Sequence, residues 1–258
     1  MEEEGARLVK ATLVSQHQSV APGGETWLGV RFEVKDRWHT YWQNSGDTGM
    51  PPTFEFTVEP AGALEIGEAQ WPAPQRHLSA GDILDYAYEG TVVHWFKSRV
   101  SGGVKAGETI KVTCRATWLV CKEACLPGEG EASLTVGVGD EREADDALRL
   151  EESRKMLPME AGDRLVSAWK GDVLEVRDKW SEAPMEFFPF AGEGDLVPND
   201  LVRSGGSRSG VLKFRFDAAD LKRGGTVRGV VRVEHGERIP DAGTRAYLLE
   251  IPAPPRPE

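Results

Sequence analysis

The stretch Ile110-Lys111-Val112-Thr113-Cys114-Arg115-Ala116-Thr117-Trp118 alternates apolar and polar side chains with period two. A helix would scatter these residues around its axis. A strand sets Ile110, Val112, Cys114, Ala116 and Trp118 on one face and Lys111, Thr113, Arg115 and Thr117 on the other. The segment therefore reads as a half-buried β-strand. The same alternation recurs at Leu28, Val30, Phe32 and Val34, at Phe54, Phe56 and Val58, and at Ala132, Leu134, Val136 and Val138. With 29 Gly and 16 Pro among 258 residues, the chain is punctuated too often for long helices. Short strands joined by turns predict a β-sandwich.

Between Asp140 and Asp163 the alternation stops and the composition becomes charged, with Ala144, Leu148, Leu150 and Met156 forming a weak helical stripe. This predicts a short helix ending before Pro158. Strand signals resume at Val173 to Val176, Phe187 to Phe190, Leu212-Phe214-Phe216, Val227 to Val233 and Tyr247-Leu249-Ile251, with a Gly/Ser turn at Ser204 to Gly210. The fold class expected is all-β: two tandem sandwiches joined by a short charged, partly helical linker. The domains expected are residues 1–140, a linker at 141–162, a second and smaller sandwich at 163–252, and a Pro-rich tail at 253–258. The tail cannot pair inside a sheet and is expected to be extended and mobile.

Lys and Arg number 31 against 42 Asp and Glu, a formal charge of -11. Such a field repels phosphate backbones, so nucleic acid is excluded as a partner. No apolar run approaches the roughly 18 to 20 residues that cross a bilayer, so no membrane segment is expected in this chain. Met1-Glu2-Glu3-Glu4 has neither the basic start nor the apolar stretch of a signal peptide.

The three cysteines are Cys114, Cys121 and Cys125. Cys121 and Cys125 sit where the alternating strand runs into a turn, at one end of the sandwich. A bridge between them would close a ring of about five residues and constrain the unfolded chain by only about 2 kcal/mol, against nearly 5 for a loop of about 100 residues. A staple gains more by joining distant strands, so the small ring favours reversible exchange, although small structural rings also occur. Cys114, between Val112 and Ala116, reads as a small buried hydrophobe.

No metal and no cofactor is expected. The histidines His17, His39, His77, His94 and His235 are scattered, and CxxxC is not a usual zinc spacing. Copper(I) on Cys121 and Cys125 stays open, because soft thiolates favour it. Neither a G-x-S-x-G elbow nor a P-loop occurs, and Asp82, Asp85 and Glu89 are expected at the surface. Six of the eight tryptophans, Trp27, Trp38, Trp42, Trp71, Trp95 and Trp118, fall in the first half. They suit a core, but Trp27 alternates onto the polar face. A non-catalytic module that binds a glycan or a protein, its cysteines a fixed staple, is therefore the alternative function.

Four blocks then carry a family likeness: Trp38-His39-Thr40-Tyr41-Trp42-Gln43-Asn44-Ser45-Gly46-Asp47-Thr48-Gly49-Met50-Pro51-Pro52, Trp71-Pro72-Ala73-Pro74, Tyr86-Ala87-Tyr88-Glu89-Gly90, and Trp118-Leu119-Val120-Cys121-Lys122-Glu123-Ala124-Cys125-Leu126-Pro127. In this order they resemble the N-terminal exported region of the DsbD/ScsB family of thiol:disulfide interchange proteins. The resemblance covers the first domain. Residues 160 to 252 are consistent with the second immunoglobulin-like module of ScsB-type relatives.

The likeness implies immunoglobulin-like sandwiches and a periplasmic protein-disulfide reductase, with the signal peptide removed. Electrons would come from a membrane-embedded DsbD-type electron-transfer domain. They would pass to thioredoxin-like periplasmic proteins or disulfide isomerases, including those of cytochrome maturation and copper tolerance. The redox pair maps onto Cys121 and Cys125, with Cys125 the nucleophile and Cys121 the resolving thiol. The stretch holding Tyr86, Tyr88 and Glu89 corresponds to a cap loop or partner-binding segment. The family's membrane segments and thioredoxin-like domain are not in this sequence, so the chain is expected to be an excised ectodomain or a stand-alone relative.

Overall fold

The computed structural model describes residues 2–234 and 244–254; His235 and Pro255-Arg256-Pro257 of the tail lie outside them. In chain order the first elements are α1 (Glu2–Ala6), β1 (Val9–Ser15), β2 (His17–Val20), β3 (Glu25–Val34), β4 (His39–Gly46), β5 (Thr53–Glu59) and β6 (Leu64–Gln70). They are followed by β7 (Gln75–Ser79), β8 (Ile83–Glu89), β9 (Thr91–Val100), β10 (Thr109–Cys121), β11 (Cys125–Val138), β12 (Arg142–Glu143) and α2 (Ala147–Arg154). The last are β13 (Met159–Glu160), β14 (Leu165–Lys170), β15 (Val173–Asp178), β16 (Met185–Pro189), α3 (Leu201–Ser204), β17 (Gly206–Ser207), β18 (Val211–Arg215), α4 (Ala218–Arg223), β19 (Thr226–Glu234) and β20 (Thr244–Pro252).

The chain divides into two compact units, Met1–Gln75 with Ala87–Lys155, and Arg76–Tyr86 with Met156–Glu258. Both are all-β sandwiches of the immunoglobulin-like kind. In the first unit one sheet has the order β1-β3-β9-β6, and the facing sheet runs β12-β2-β11-β10-β4 with β5 also paired to β10. The alternation that predicted β10 sets its buried face: Ile110, Val112, Cys114, Ala116 and Trp118 are buried, as are Leu28, Val30 and Phe32 of β3, and the Trp118 ring meets Phe32 edge-on at 5.1 Å. β5 keeps its period of two, yet Phe54, Phe56 and Val58 are only half-buried. Its one described strand partner is β10, and beside it a groove of about 530 Å³ opens toward Ile66, Trp71 and Phe96.

The helix expected in the charged stretch is α2, inside the first unit, with Ala147 and Leu150 buried. Its Arg154 guanidinium lies 5.1 Å over the Trp27 ring. Trp27 is consequently half-buried, which corrects the expectation of an open aromatic on the polar face. None of the six tryptophans of this unit is exposed.

In the second unit the sheets run β13-β20-β19-β16-β17 and β14-β15-β18. Leu174, Val176, Met185, Phe187, Phe214 and Val231 are buried between them. One buried ion pair crosses this core: Arg164 donates through Nε (3.1 Å) and Nη2 (2.7 Å) to Asp178 Oδ2, and through Nη1 to the Tyr247 hydroxyl at 2.6 Å. The hydrogen bonds offset the cost of burying both charges. The expected Gly/Ser turn contains the short strand β17, paired to β16. The start of the tail is held: Trp169 Nε1 donates to Pro252 O at 3.0 Å, and the Ala253 amide donates to Gly225 O at 2.9 Å.

Candidate redox site

β10 and β11 form one long hairpin with continuous register from Thr109↔Gly137 to Cys121↔Cys125. Lys122, Glu123 and Ala124 make its turn, tied by the Lys122 amide to Ala124 O at 3.3 Å. Cys121 and Cys125 therefore face each other across the last rung. Their Cα atoms are 4.1 Å apart, and a disulfide joins them. The bridge is asymmetric toward solvent, since Cys121 is 3 % exposed while Cys125 is an exposed residue. An incoming thiolate needs access to a sulfur, so the arrangement offers Cys125 first.

Strand β4 explains why Cys121 is covered. Cys121 pairs with His39, and His39, Thr40, Tyr41 and Trp42 are all buried in succession. The Tyr41 hydroxyl comes within 3.7 Å of Cys125 Sγ, and its ring meets the His39 ring edge-on at 5.3 Å. A disulfide sulfur carries no proton, so the phenol is the donor in that contact. Gly49, at φ +74°, lies against Tyr41, where a Cβ would come 2.1 Å from the ring's Cζ. Only a residue without a side chain fits there. Ser45 Oγ donates to Gly49 O at 3.3 Å and helps hold this loop.

The base of the tip is also braced. Trp118 Nε1 donates to Gly5 O of α1 at 3.3 Å, and the Trp118 ring lies over Gly128 and Gly130, where any Cβ would approach it to 3.0 Å or less. The sequence names Tyr41, His39 and Gly49 only as part of a likeness and gives them no place at the thiols. The available signal was a His and a Tyr two residues apart in a segment whose alternation breaks down.

Cys114 is free and buried, as expected, and burial pushes its thiol up to about 12, against a weaker opposing hydrogen bond from the Glu55 backbone. It is held as a neutral group. The expected cap residues are divided between the units. Tyr86 belongs to the second, its ring edge-on to Phe188 at 5.5 Å. Tyr88 belongs to the first, where its hydroxyl donates to Pro72 O at 2.6 Å and its ring meets His94. Burial raises the Tyr88 phenol well above its ordinary value. Glu89 is exposed. Asp85 is buried, against the expectation of a surface carboxylate, because residues Leu84 through Tyr88 of β8 are covered on both faces.

His94 is fully buried among the rings of Phe32, Phe54, Trp71 and Tyr88, with both ring nitrogens unpartnered. Desolvation lowers its pKa to about 3, so it stays neutral. Among the described residues no group of three or more His, Cys, Asp or Glu is placed to hold a metal ion, and no helix is long and apolar enough to cross a membrane.

The model of the family described as "Thiol:disulfide interchange protein DsbD, N-terminal" matches residues 6–137. No curated protein matches the chain. Among solved structures, the N-terminal periplasmic domain of ScsB from Proteus mirabilis aligns with a TM-score of 0.59 at 16% identity, covering 93% of this chain and 91% of that one. This likeness spans both units and shows the fold. The reduced N-terminal domain of Neisseria meningitidis DsbD aligns at 15% identity over 53% of this chain and 92% of that one, with a TM-score of 0.30.

Proposed function

The chain belongs to the family of N-terminal regions of the thiol:disulfide interchange protein DsbD, and from that membership we propose that it is a periplasmic exchange module working through Cys121 and Cys125. The observation that carries the reading is the bridge at the hairpin tip, which joins an exposed residue, Cys125, to a buried one, Cys121. A donor dithiol, supplied by a membrane-embedded electron-transfer domain of the DsbD type, first reduces the bridge. The Cys125 thiolate then attacks one sulfur of a partner's disulfide. A mixed disulfide forms, and the partner's other sulfur leaves as a thiolate and takes a proton from water. The Cys121 thiolate attacks Cys125, re-forms the internal bridge and releases the partner's second thiolate. Two electrons have passed to the partner, which leaves as a dithiol.

The Tyr41 hydroxyl favours this sequence if it keeps its place beside Cys125. A donor to the thiolate stabilises the charged form and lowers the thiol pKa. Buried Cys121 is kept from outside disulfides and acts only within the ring. Thioredoxin-like proteins and disulfide isomerases are the proposed acceptors, among them factors of cytochrome maturation and copper tolerance. Tyr86, Tyr88 and Glu89 are the proposed cap or partner-binding segment.

A redox titration against glutathione or dithiothreitol, read by mass after alkylation, tests the proposal. Exchange requires a Cys121–Cys125 potential above about -300 mV. A lower value marks a bridge that resists biological reduction and favours the fixed staple of a binding module.

A further inference from the structure

The second unit has no cysteine and cannot relay thiol electrons, yet one part of its surface reverses the character of a chain whose net charge is -11. Beside β15, β17 and β18 lies a hollow of about 390 Å³ lined by Arg177, Arg203 and Lys213 together with Ser204, Ser207 and Ser209, and among the described residues no carboxylate lines it. A second hollow of about 300 Å³ shares Arg177, Ser209 and Val211 with the first and adds Trp180, which is 64 % exposed.

Nearby carboxylates do not cancel this charge. Glu175 lies 3.0 Å from Lys170, 3.0 Å from Arg177 and 3.8 Å from Lys213, so one negative group answers three positive ones. Arg203 is paired with exposed Asp200 at 3.8 Å, a contact that screening leaves weak. Asp178, at the second hollow, is buried and committed to Arg164. Lys179 there is paired with Asp163 at 2.9 Å, and Glu182 is the exposed acid at that rim.

An exposed Trp beside Arg is the composition that concentrates binding energy in protein interfaces. The concave shape suits individual carboxylates of a folded partner better than a flat layer of headgroups; at its wall the Ser207 and Ser209 hydroxyls stand 3.2 Å apart, while Ser204 Oγ is committed to Asp200 O at 2.9 Å. We propose that this face of the second unit docks an acidic segment of a partner protein, its carboxylates received by Arg177, Arg203 and Lys213 and an apolar side chain laid on Trp180.

The test is fluorescence anisotropy of the full chain with a dye-labelled peptide of alternating glutamate and leucine. Arg177→Glu and Lys213→Glu should each weaken binding about tenfold or more, because an attraction becomes a repulsion. Trp180→Ala should weaken it about threefold to tenfold. Lys105→Glu, an exposed cation of the first unit, should leave it unchanged, and added salt should weaken it. Equal affinity in wild type and the charge-reversed variants would overturn the proposal. So would a loss as large from Lys105→Glu. Binding to vesicles containing phosphatidylglycerol, lost in Arg177→Glu while the peptide fails to bind at all, would assign the face to lipid and equally overturn it. All four positions are exposed, and no arm depends on the thiols, so the result is independent of the exchange reading.

Discussion

Cys114 and Cys121 stand on one strand, roughly 23 Å apart at the usual rise per residue, and they meet opposite fates. At Cys114 the strand is flanked on both edges, by Phe56 of β5 and Ala132 of β11. One face is sealed by the opposing sheet, and the thiol is a buried neutral filler. At Cys121 the strand is ending: β4 offers a single rung, and β11 turns back to place Cys125 opposite in the open. Chemistry is thus assigned by position along the strand. The middle excludes water and raises a thiol's pKa, whereas the tip leaves residue Cys125 exposed and keeps Cys121 covered.

The largest effect that sharpens this contrast is in alkylation. With the bridge reduced and the protein folded, iodoacetamide at pH 8 should label Cys125 while Cys114 stays unmodified. A pKa of about 12 against the ordinary 9.0, a difference of about 3, leaves Cys114 with a thiolate fraction roughly 1,000-fold lower. Peptide mass mapping checks this, and labelling of Cys114 at a comparable rate would erase the contrast. The same shift has a sign in stability. A thiol whose pKa is raised in the folded state contributes stability fully below about 9, and that stability is lost as pH rises toward about 12. Cys114→Ala should flatten that part of an alkaline unfolding curve.

A smaller effect is expected at the tip. Tyr41→Phe removes the hydroxyl 3.7 Å from Cys125 Sγ and leaves the ring under Gly49. It should raise the Cys125 pKa and slow its reaction at neutral pH by about threefold to tenfold, the order of one ordinary hydrogen bond, since 3.7 Å is a long contact even for sulfur. The pH profile of thiolate absorbance near 240 nm separates this from a packing defect, which would lower melting temperature without moving the profile.

The strands that alternate were legible because their signal is local, whereas β1, β6, β9 and β14 had no strand reading. Leu28 to Val34, Ile110 to Trp118 and Leu212 to Phe216 alternate, and the alternation becomes their burial. The cysteine ring was legible for the same reason, as a strand end followed by a turn. Other features depend on which surfaces meet. The polar-face position of Trp27 is right, but nothing near it in sequence announces Arg154. Residues Leu84 to Tyr88 are covered on both faces, which hides Asp85 from a rule that assumes one wet face. Tyr41 reaches Cys125 across 84 positions. The passage of Arg76–Tyr86 into the second unit leaves no periodic trace either, though Arg76 Nη2 is anchored there on Leu201 O and Val202 O at 2.6 and 3.0 Å.

The central claim is the division of labour between an exposed Cys125 and a covered Cys121. It is tested most directly by mixing each single-cysteine variant of the pair with an oxidised thioredoxin-fold protein and resolving the products without reductant. Cys121→Ala should accumulate a mixed disulfide through Cys125, while Cys125→Ala should give little or none. The reverse pattern would exchange the two roles, and no covalent complex from either variant would contradict the account.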